Sequence, residues 1–408
     1  MSKSSKSLLF VTYQYPFLPG EYFIEEEIEY LAGTFDTVWV LPGRCLFWKP
    51  KEPPRQMPDN VKLLDPRDAS WGQKLYWYIA GLAYTVIILL RWRSVWSGNP
   101  SVRVVSMLKD LKAVFKVSVT TLALRTLLRP LKCEGELIGY SYWRNFSAAS
   151  LALLKAGGML KRLFLRCHRV DIYHPQRWTS QALIHAYADG VFSVSMDGYL
   201  HLVNEKGLDA SIIEVQRLGV AIPSVCAAAS EDGVIRIVSV SNAVPVKRVE
   251  LIAEVISKLP MPVSWTHIGD GPTMSLVREC CKDMPSDHSF NFLGRLSNQQ
   301  VLDYYSKNAV DIFINLSESE GVPVSIMEAL AHGIPVVATN VGGSGEVVND
   351  ENGRLIDVAA SIEEIVAAIA DLCGAGDLIQ CRKEARRTAL TMCSSDANYK
   401  SFCQRILR

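Results

Sequence analysis

The sequence predicts an α/β fold in two domains, each built on a doubly wound parallel sheet. In the first part of the chain, strand-like SLLFVTY precedes helical EYFIEEEIEYLAG and strand-like TVWVLP, and IRIVSV, KRVELIAEVISKL and VSWTHIG repeat that order in the second part. Such alternation is typical of parallel βαβ units. The length of 408 residues agrees with two domains, because single hydrophobic cores stop growing beyond about 250–300 residues.

The boundary between the domains is predicted from a change in composition. The segment VQRLGVAIPSVCAAASEDG, residues 215–233, ends a strand and then becomes small and polar, as linkers do. We therefore predict an N-terminal domain over residues 1–221 and a C-terminal domain over residues 222–390.

The most informative segment of the second domain is a predicted strand–helix–strand unit. Residues 311–316, DIFINL, form a short apolar run, VSIMEALAHG is a helical pattern that ends at Gly333, and PVVAT is a second strand. Ligands of parallel sheets sit at the carboxyl ends of the strands. Pro323 suits the first position of the helix, whose free N–H groups and positive dipole end favour an anionic phosphate.

Two glutamates frame the start of this helix. Glu320 lies just outside the helix and Glu328 lies inside it. A carboxylate repels a diphosphate, so the two glutamates suit neutral hydroxyl groups, which one would accept from a sugar and the other from a ribose. The alternative is that both are ordinary solvated residues at a helix start and on a helix face.

The pattern E-G-x-P-x-S-x-x-E-A followed by G-I-P-V-V-A-T-x-x-G-G resembles the E-x7-E signature of family 4 glycosyltransferases. The resemblance continues over residues 235–259, 265–272, 292–305 and 349–357, is weaker over residues 15–42, and is lost between about residues 50 and 130. It implies the GT-B fold, in which two Rossmann-like domains face a cleft, and retaining transfer of a sugar from a nucleotide-sugar donor. It also implies that residues 391–408 form a helix that crosses back to the first domain.

Lys247 is the candidate for stabilising the charge that develops on the departing phosphate. In the resembled family an arginine usually stands five residues earlier, where this chain has Asn242. Asparagine donates a hydrogen bond without charge, and a charge-assisted bond is roughly twice as strong. Arg248 is a candidate for compensating this loss. The change indicates either a trait of a subfamily or a loss of activity.

The resemblance also implies which residues contact the donor. Turns that follow strands carry G-D-G-P and G-R, of which the second would recognise the base edge, and the helix start follows Glu320. The predicted donor contacts are Glu328, Gly321, Val322, Pro323, Val324, Asn242, Gly269, Gly271, Gly294 and Arg295.

Two positions of the first domain complete the predicted site. Gly20, in PFLPGEYF, follows the first strand and would let the backbone approach the donor phosphate or the acceptor. His168, in LFLRCHRVDIY, resembles the histidine of the family motif R-x-H-x-x-D-x-Y, which faces the reacting sugar. Its expected role is positioning and transition-state hydrogen bonding, with Asp171 orienting either the histidine or the loop. The predicted catalytic residues are thus Glu320, Lys247 and His168.

The sequence lacks the motifs of several other classes of enzyme. The chain has no D-x-D, which forms the metal-diphosphate clamp of the other main glycosyltransferase fold, and no Walker A, H-E-x-x-H or G-x-S-x-G pattern. We therefore predict no metal or cofactor, and a UDP- or GDP-sugar as co-substrate. The net charge of +1 gives no argument for a nucleic-acid partner. Ten cysteines without C-x-x-C pairs indicate free thiols in the cytoplasm.

A run of sixteen uncharged residues, LYWYIAGLAYTVIILL at 75–90, predicts contact with a membrane. It is shorter than the roughly 20 residues that cross a bilayer. Between Arg91 and Lys132 follow nine basic residues and one acidic residue, which suit an anionic lipid surface. The main alternative is a helix fully buried in a core, and a spanning helix is a further one.

Together these features predict a retaining glycosyltransferase at the cytoplasmic face of the membrane. It would transfer a sugar to a growing glycan or a polyprenyl-diphosphate-linked acceptor in the synthesis of capsule, exopolysaccharide or O-antigen. The alternative is a non-catalytic glycosyltransferase-like subunit, which Asn242 favours. A sugar-nucleotide epimerase shares the architecture and is an analogy only.

Overall fold

The computed structural model describes residues 6–17, 20–50, 52–91, 103–131, 135–173, 178–374 and 377–408, and it describes the backbone alone at residues 91, 103–110, 178–180, 182 and 377. The chain forms two compact units. Unit 1 comprises the residues through Val194, Tyr199–Val215 and Cys403–Arg408, and unit 2 comprises Ser195–Gly198 and Gln216–Phe402. The division after Val215 lies close to the predicted boundary at residue 221.

Unit 1 is built on a parallel sheet. Its strands are β1 (Lys6–Thr12), β2 (Thr37–Pro42), β3 (Val61–Leu63), β4 (Glu136–Ser141), β5 (Arg162–Cys167), β6 (Gly190–Ser193) and β7 (Ile213–Val215). They pair in the order β3-β2-β1-β4-β5-β6-β7. Its helices are α1 (Ile24–Thr34), α2 (Trp71–Arg91), α3 (Arg103–Leu128), α4 (Phe146–Ala156), α5 (Arg169–Tyr173) and α6 (Trp178–Tyr187), and α7 (Met196–Leu200) is divided between the units.

Unit 2 repeats this plan with a second parallel sheet. Its strands are β8 (Ile235–Val240), β9 (Val263–Ile268), β10 (Ser289–Gly294), β11 (Ile312–Asn315), β12 (Val336–Thr339) and β13 (Gly353–Ile356). They pair in the order β10-β9-β8-β11-β12-β13. Its helices are α8 (Val249–Ile256), α9 (Met274–Cys280), α10 (Asn298–Lys307), α11 (Val324–Ala331), α12 (Ile362–Leu372) and α13 (Asp377–Thr388), followed by α14 (Ser395–Leu407).

Several inner strands of the two sheets are buried along most or all of their length. All four residues of β11 and of β12 are buried, as are the last six of β1, which is typical of parallel strands with helices on both faces. Burial on both faces explains why these strands are continuous apolar runs in the sequence. The predicted α/β class with two doubly wound parallel sheets is confirmed.

Each sheet has one point where the strand order reverses. In unit 1 the reversal lies between β1 and β4, and in unit 2 it lies between β8 and β11. The connections on the two sides of such a point leave toward opposite faces of the sheet, so a crevice forms at the carboxyl ends of the strands. The loops after β8 and β11 in unit 2, and those after β1 and β4 in unit 1, are therefore the expected places for ligands.

The predicted C-terminal helix is shorter than residues 391–408. Helix α14 begins at Ser395, and residues from Cys403 onward belong to unit 1. There Arg405 Nε lies 2.7 Å from Glu214 Oε1, on β7. This ion pair fixes the end of the helix to the edge strand of unit 1.

Helices α2 and α3 form an antiparallel hairpin on unit 1. The indole of Trp77 donates to Thr126 Oγ1 (3.1 Å), and the hydroxyl of Thr85 donates to Ser118 Oγ (2.9 Å). Among the described residues, Trp71–Leu90 is the one helix long and apolar enough to cross a membrane, and only 22% of that stretch is buried. The alternative of a fully buried core helix for residues 75–90 is therefore wrong, because one side of α2 packs on α3 while the other is exposed.

Candidate functional site

Lys247 and Glu320 meet at the reversal point of the unit 2 sheet. Lys247 closes a 3-10 turn, Pro245–Lys247, in the loop after β8, and Glu320 lies in the loop after β11. The ammonium Nζ of Lys247 lies 2.5 Å from Glu320 Oε1. Asn315, the last residue of β11, donates from Nδ2 to the same oxygen at 3.3 Å. The fold thus brings together a predicted cation and a predicted carboxylate that are 73 residues apart in the sequence.

Arg248, the candidate for compensating the charge missing at Asn242, donates to two backbone carbonyls. Its Nε donates to Leu316 O (2.6 Å) and its Nη1 donates to Val358 O (3.0 Å). Its backbone adopts a left-handed conformation with φ 46°, which is costly for a residue with a side chain. The guanidinium is therefore committed to two carbonyls, while Asn242 lies exposed in the same loop.

Helix α11 begins one residue later than the sequence predicts. Pro323 has an extended ψ of 122° and precedes the first helical residue, Val324. Gly321 and the buried Val322 form the turn that leads into it. The loop with Glu320 therefore ends at the free N–H groups of the first helical turn.

Glu328 is buried within α11, with 6% of its surface exposed. The amide Nδ2 of Asn298, at the start of α10, donates to Glu328 Oε1 at 2.5 Å. Burial raises the pKa of Glu328 to about 7, and the hydrogen bond from Asn298 counteracts part of this rise. Unlike Glu320, this carboxylate has a neutral partner. The sequence did not predict Asn298, because the order β10-β9-β8-β11 and not proximity in the chain brings it to Glu328.

Glycines allow the loops of this site to pack backbone against backbone. A Cβ on Gly269 would lie 1.8 Å from Ser241 O, and one on Gly342 would lie 2.0 Å from Glu320 O. Both distances are far below contact, so only glycine fits. The loop after β9 is thereby held against the loop of Lys247, and residues 342–343 against that of Glu320.

The remaining predicted donor contacts follow the same strands. Gly271 packs against Ala243, Gly294 accepts a hydrogen bond from Gly269 N at 2.8 Å, and Arg295 is exposed. The predicted donor contacts of unit 2 therefore follow the carboxyl ends of β8, β9, β10 and β11 or lie in α11. Gly20 and His168 belong to unit 1.

His168 follows β5 and lies in an aromatic environment. Its ring centroid is 4.6 Å from that of Tyr142, 4.7 Å from that of Trp143 and 5.9 Å from that of Phe23. Burial and the neighbouring Arg166 hold the pKa of His168 well below its usual value. The imidazole is therefore neutral at physiological pH, and within the described part of the chain its Nε2 atom has no hydrogen-bond partner.

Asp171 orients the loop and not the imidazole. Its two carboxylate oxygens accept from the backbone N–H groups of Arg144 and His168, both at 3.1 Å. Burial raises the pKa of Asp171 to about 7. Of the two roles considered for this residue, the structure favours the fixing of the backbone.

The loop after β1 has an internal anion that the sequence did not reveal. The carboxylate of Glu21 accepts from the N–H groups of Tyr13 (3.0 Å), Gln14 (2.6 Å) and Tyr15 (2.5 Å), and from Trp143 Nε1 (2.6 Å). Three successive N–H groups form the kind of nest that binds anions. Glu21 fills this nest, so the backbone beside Gly20 does not offer these groups to a phosphate.

Groups of three or more histidine, cysteine, aspartate or glutamate side chains suited to a metal ion were not found in the described ranges. In unit 2 the polar groups of the site are two carboxylates, one ammonium group and side-chain amides.

Residues 227–387 match the family model of glycosyl transferases group 1. This match lies within unit 2 and covers less than half of the chain. The matched range contains Lys247, Glu320 and Glu328, and hence the whole arrangement around the reversal point of this sheet. The O-antigen biosynthesis glycosyltransferase WbnH of Escherichia coli is 34% identical over 111 residues. That alignment covers 27% of this chain and 30% of WbnH, so the chain matches less than a third of the length of this curated relative.

Solved structures resemble the chain over nearly its whole length. The lipopolysaccharide outer core galactosyltransferase WaaB has a TM-score of 0.69 at 15% identity, with 98% of this chain and 99% of that chain covered. HepE of Anabaena, solved in complex with UDP, has a TM-score of 0.66 at 14% identity, with 98% and 99% covered. This likeness shows the fold, which is that of GT-B proteins with two parallel-sheet α/β units.

Proposed function

We propose that this protein is a retaining glycosyltransferase that moves a sugar from a UDP- or GDP-sugar to a growing glycan or a polyprenyl-diphosphate-linked acceptor. Its place would be the synthesis of a surface polysaccharide such as capsule, exopolysaccharide or O-antigen. One observation carries the proposal: the pairing of Lys247 with Glu320 at the reversal point of the sheet, within the range that matches the group 1 family model. The names of the relatives WbnH and WaaB support the class of product.

Lys247 would contact the phosphate side of the bond that breaks, and Glu320 would contact its sugar side. In the free protein the ammonium group neutralises the carboxylate. A bound diphosphate would draw Lys247 toward the leaving oxygen, where a cation stabilises the transition state more than the ground state. Glu320 would then accept hydrogen bonds from sugar hydroxyls, with Asn315 holding its orientation. The first N–H groups of α11 would face the phosphates.

Glu328 would hold the ribose of the nucleotide. Asn298 occupies one side of its carboxylate, and hydroxyl groups of a ribose would satisfy the remaining acceptor sites. This role requires the ionised form, because a protonated carboxyl loses acceptor capacity. A pKa of about 7 makes the affinity for the nucleotide sensitive to pH in the physiological range.

His168 would act through its neutral Nε2 atom, which is suited to accept a hydrogen bond from a hydroxyl group. We propose a positioning role for it, while the departing phosphate receives the proton of the acceptor on the same face of the sugar. The charge of Lys247 and the N–H groups of α11 would replace that of a metal ion. Transfer is therefore proposed to be independent of metal.

The protein is proposed to work at the cytoplasmic face of the membrane through peripheral contact. The exposed side of α2 supports this contact, and so does the excess of basic residues between Arg91 and Lys132. Of those basic residues, Lys112 and Arg129 are exposed, and the side chains of Arg91, Arg93, Arg103, Lys109 and Lys132 lie outside the described residues.

The second candidate is a non-catalytic glycosyltransferase-like subunit. Asn242 favours it, because Arg248 does not supply the missing charge. The intact pair of Lys247 and Glu320 favours an enzyme, because a subunit without donor chemistry has no need of a cation beside a buried carboxylate.

Calorimetric titration with UDP, GDP, ADP and CMP in the presence of a chelator tests the proposal. We expect tight binding of one nucleotide by the wild type and much weaker binding by Glu328→Gln. Glu318→Gln is the matched control, because Glu318 is an exposed glutamate of the loop that precedes α11. Absence of binding of all four nucleotides would favour the non-catalytic subunit, and binding restored only by a divalent cation would contradict metal independence.

A further inference from the structure

Helix α2 carries a long apolar surface that is largely exposed, although Tyr78 at its edge donates to Leu46 O (3.3 Å). The outer face of α2, as we call it, consists of side chains that are each 40–77% exposed: Trp71, Leu75, Tyr76, Tyr78, Ile79, Leu82, Val86, Ile87 and Leu90. Isolated apolar residues are normal on protein surfaces, but a contiguous set of this size marks an interaction site. No charged residue occurs between Leu75 and Leu90.

The opposite side of α2 is fixed to the protein. Trp77 is 2% exposed and Ile88 is 5% exposed, and a cation–π contact joins Arg125 of α3 to Tyr84, 5.6 Å from the ring centroid. A helix held to a partner helix along both halves cannot cross a bilayer alone. At about 1.5 Å per residue, α2 is a rod roughly 30 Å long with one side free to contact a surface.

The composition of the outer face changes along the helix. On the outer face, the half from Trp71 to Tyr78 has three exposed aromatic side chains, and the large exposed side chains of the half from Ile79 to Leu90 are all aliphatic. Tryptophan and tyrosine favour the headgroup level of a bilayer, where their polar atoms remain hydrated, whereas leucine, isoleucine and valine favour the acyl chains. A flat position at one depth would satisfy only one of these halves.

Charge and composition together favour a lipid surface over a protein partner. The chain from residue 91 to 132 carries nine basic residues and one acidic residue, and Lys112 and Arg129 of this set are exposed, so the hairpin complements anionic lipid. Protein interfaces surround an apolar centre with a polar rim, whereas no charged side chain interrupts the outer face of α2 between Leu75 and Leu90.

We propose that α2 is an oblique membrane anchor, with the Ile79–Leu90 half deeper in one leaflet than the Trp71–Tyr78 half. This inference deepens the membrane contact of the proposed function and rests on it. The apolar face would supply most of the affinity, and the basic residues would add attraction to anionic headgroups. An anchor of this geometry holds unit 1 at one fixed tilt to the lipid surface.

Depth-dependent quenching on the full chain tests the anchor. A small fluorescent amino acid is placed singly at Tyr76, at Leu90 or at Ile379, which is 67% exposed on α13 of unit 2 and matches the 66% of Leu90. The proteins are mixed with phosphatidylcholine–phosphatidylglycerol vesicles brominated either near the headgroup or near the end of the acyl chains.

We expect shallow bromine to quench the probe at position 76 more, deep bromine to quench the probe at position 90 more, and neither to quench the probe at position 379. Equal depths for positions 76 and 90, or the reverse order, would overturn the oblique geometry while leaving membrane contact intact. Binding to vesicles without quenching at either position would show that another surface makes the contact.

A variant with Leu82→Gln, Val86→Gln and Leu90→Gln provides a second test. We expect its binding to these vesicles to fall at least tenfold, while Ile379→Gln binds as the wild type does. Wild-type protein that ignores vesicles but forms a dimer, which the triple variant abolishes, would show that a second copy covers this face and would overturn the anchor. Nucleotide titration of the same samples tests the proposed donor site separately, so failure of the anchor can be distinguished from failure of the donor site.

Discussion

The proposed donor site of unit 2 and the outer face of α2 depart from the usual distribution of side chains in opposite directions. At the donor site two carboxylates are buried, with Glu320 exposed by 7% and Glu328 by 6%, whereas on α2 Leu82 and Leu90 are exposed by 61% and 66%. Burying a charge costs free energy, and so does leaving apolar surface in water. Neither arrangement stabilises the free protein, so each indicates a ligand that completes it.

The two regions differ in how the free protein limits these costs. The donor site uses specific partners, since Lys247 neutralises Glu320 and Asn298 donates to Glu328. The hairpin packs one side of α2 on α3 and leaves the other side unpaired. Substitutions at the donor site should therefore depend on charge and pH, and substitutions on the outer face of α2 should not.

The largest effect is expected from Glu320→Ala. The substitution removes the acceptor for sugar hydroxyls and leaves Lys247 without its partner, and losing a charged hydrogen bond in an enclosed site costs about 3–4 kcal/mol in the transition state, or roughly 10²–10³ in kcat. Nucleotide binding should persist. Measured turnover of the donor sugar compares this variant with Glu318→Ala, an exposed glutamate of the same loop. Full activity of Glu320→Ala would exclude the sugar contact.

A pH-dependent effect on stability is expected from Glu328→Gln. The pKa of Glu328 in the folded protein, about 7, lies above the ordinary value of 4.5. The stability that this elevated pKa contributes is fully present below pH 4.5 and is lost as pH rises through 7, because the ionised form is buried. The glutamine variant should therefore be more stable than wild type at pH 8, by up to about 3 kcal/mol, and no more stable near pH 4.5.

Thermal unfolding of both proteins at several pH values measures this difference. Glu318→Gln, with its exposed carboxylate, is the control and should follow the wild type. In parallel, the affinity of the wild type for its nucleotide should rise as pH passes through 7, and that of Glu328→Gln should not. A glutamine variant less stable than wild type at pH 8 would mean that the carboxylate makes stabilising contacts in the free protein.

A smaller effect is expected at Arg248, where the donor site depends on backbone geometry. The left-handed φ of 46° costs a non-glycine residue about 1–2 kcal/mol. Arg248→Ala keeps this strain and loses the bonds to Leu316 O and Val358 O, whereas Arg248→Gly loses the bonds and relieves the strain. Urea denaturation should find the glycine variant more stable than the alanine variant by about 1 kcal/mol. Equal stabilities would show that the turn relaxes when the guanidinium is removed.

The same two regions show what the sequence could and could not predict. The segment from Glu320 to Glu328 combines local signals, namely a strand, a glycine, a proline and an apolar helix, so its placement followed from short-range patterns. Asn298 was not predicted, because its partner lies 30 residues away and depends on strand order. In α2 almost every residue is apolar, so periodicity could not distinguish Trp77, which is buried, from Tyr78, which is exposed.

The smallest effect on stability is expected on the outer face of α2. A buried residue of the same helix provides a direct comparison. Leu82→Gln removes an apolar side chain that is 61% exposed and contacts little protein, so its free energy of unfolding should change by no more than about 0.5 kcal/mol. Trp77→Ala, on the buried side of the same helix, should cost about 3–5 kcal/mol. Urea denaturation without lipid measures both. A loss at Leu82 close to that at Trp77 would mean that the outer face packs against protein in solution, and α2 would then no longer differ in kind from an ordinary core helix.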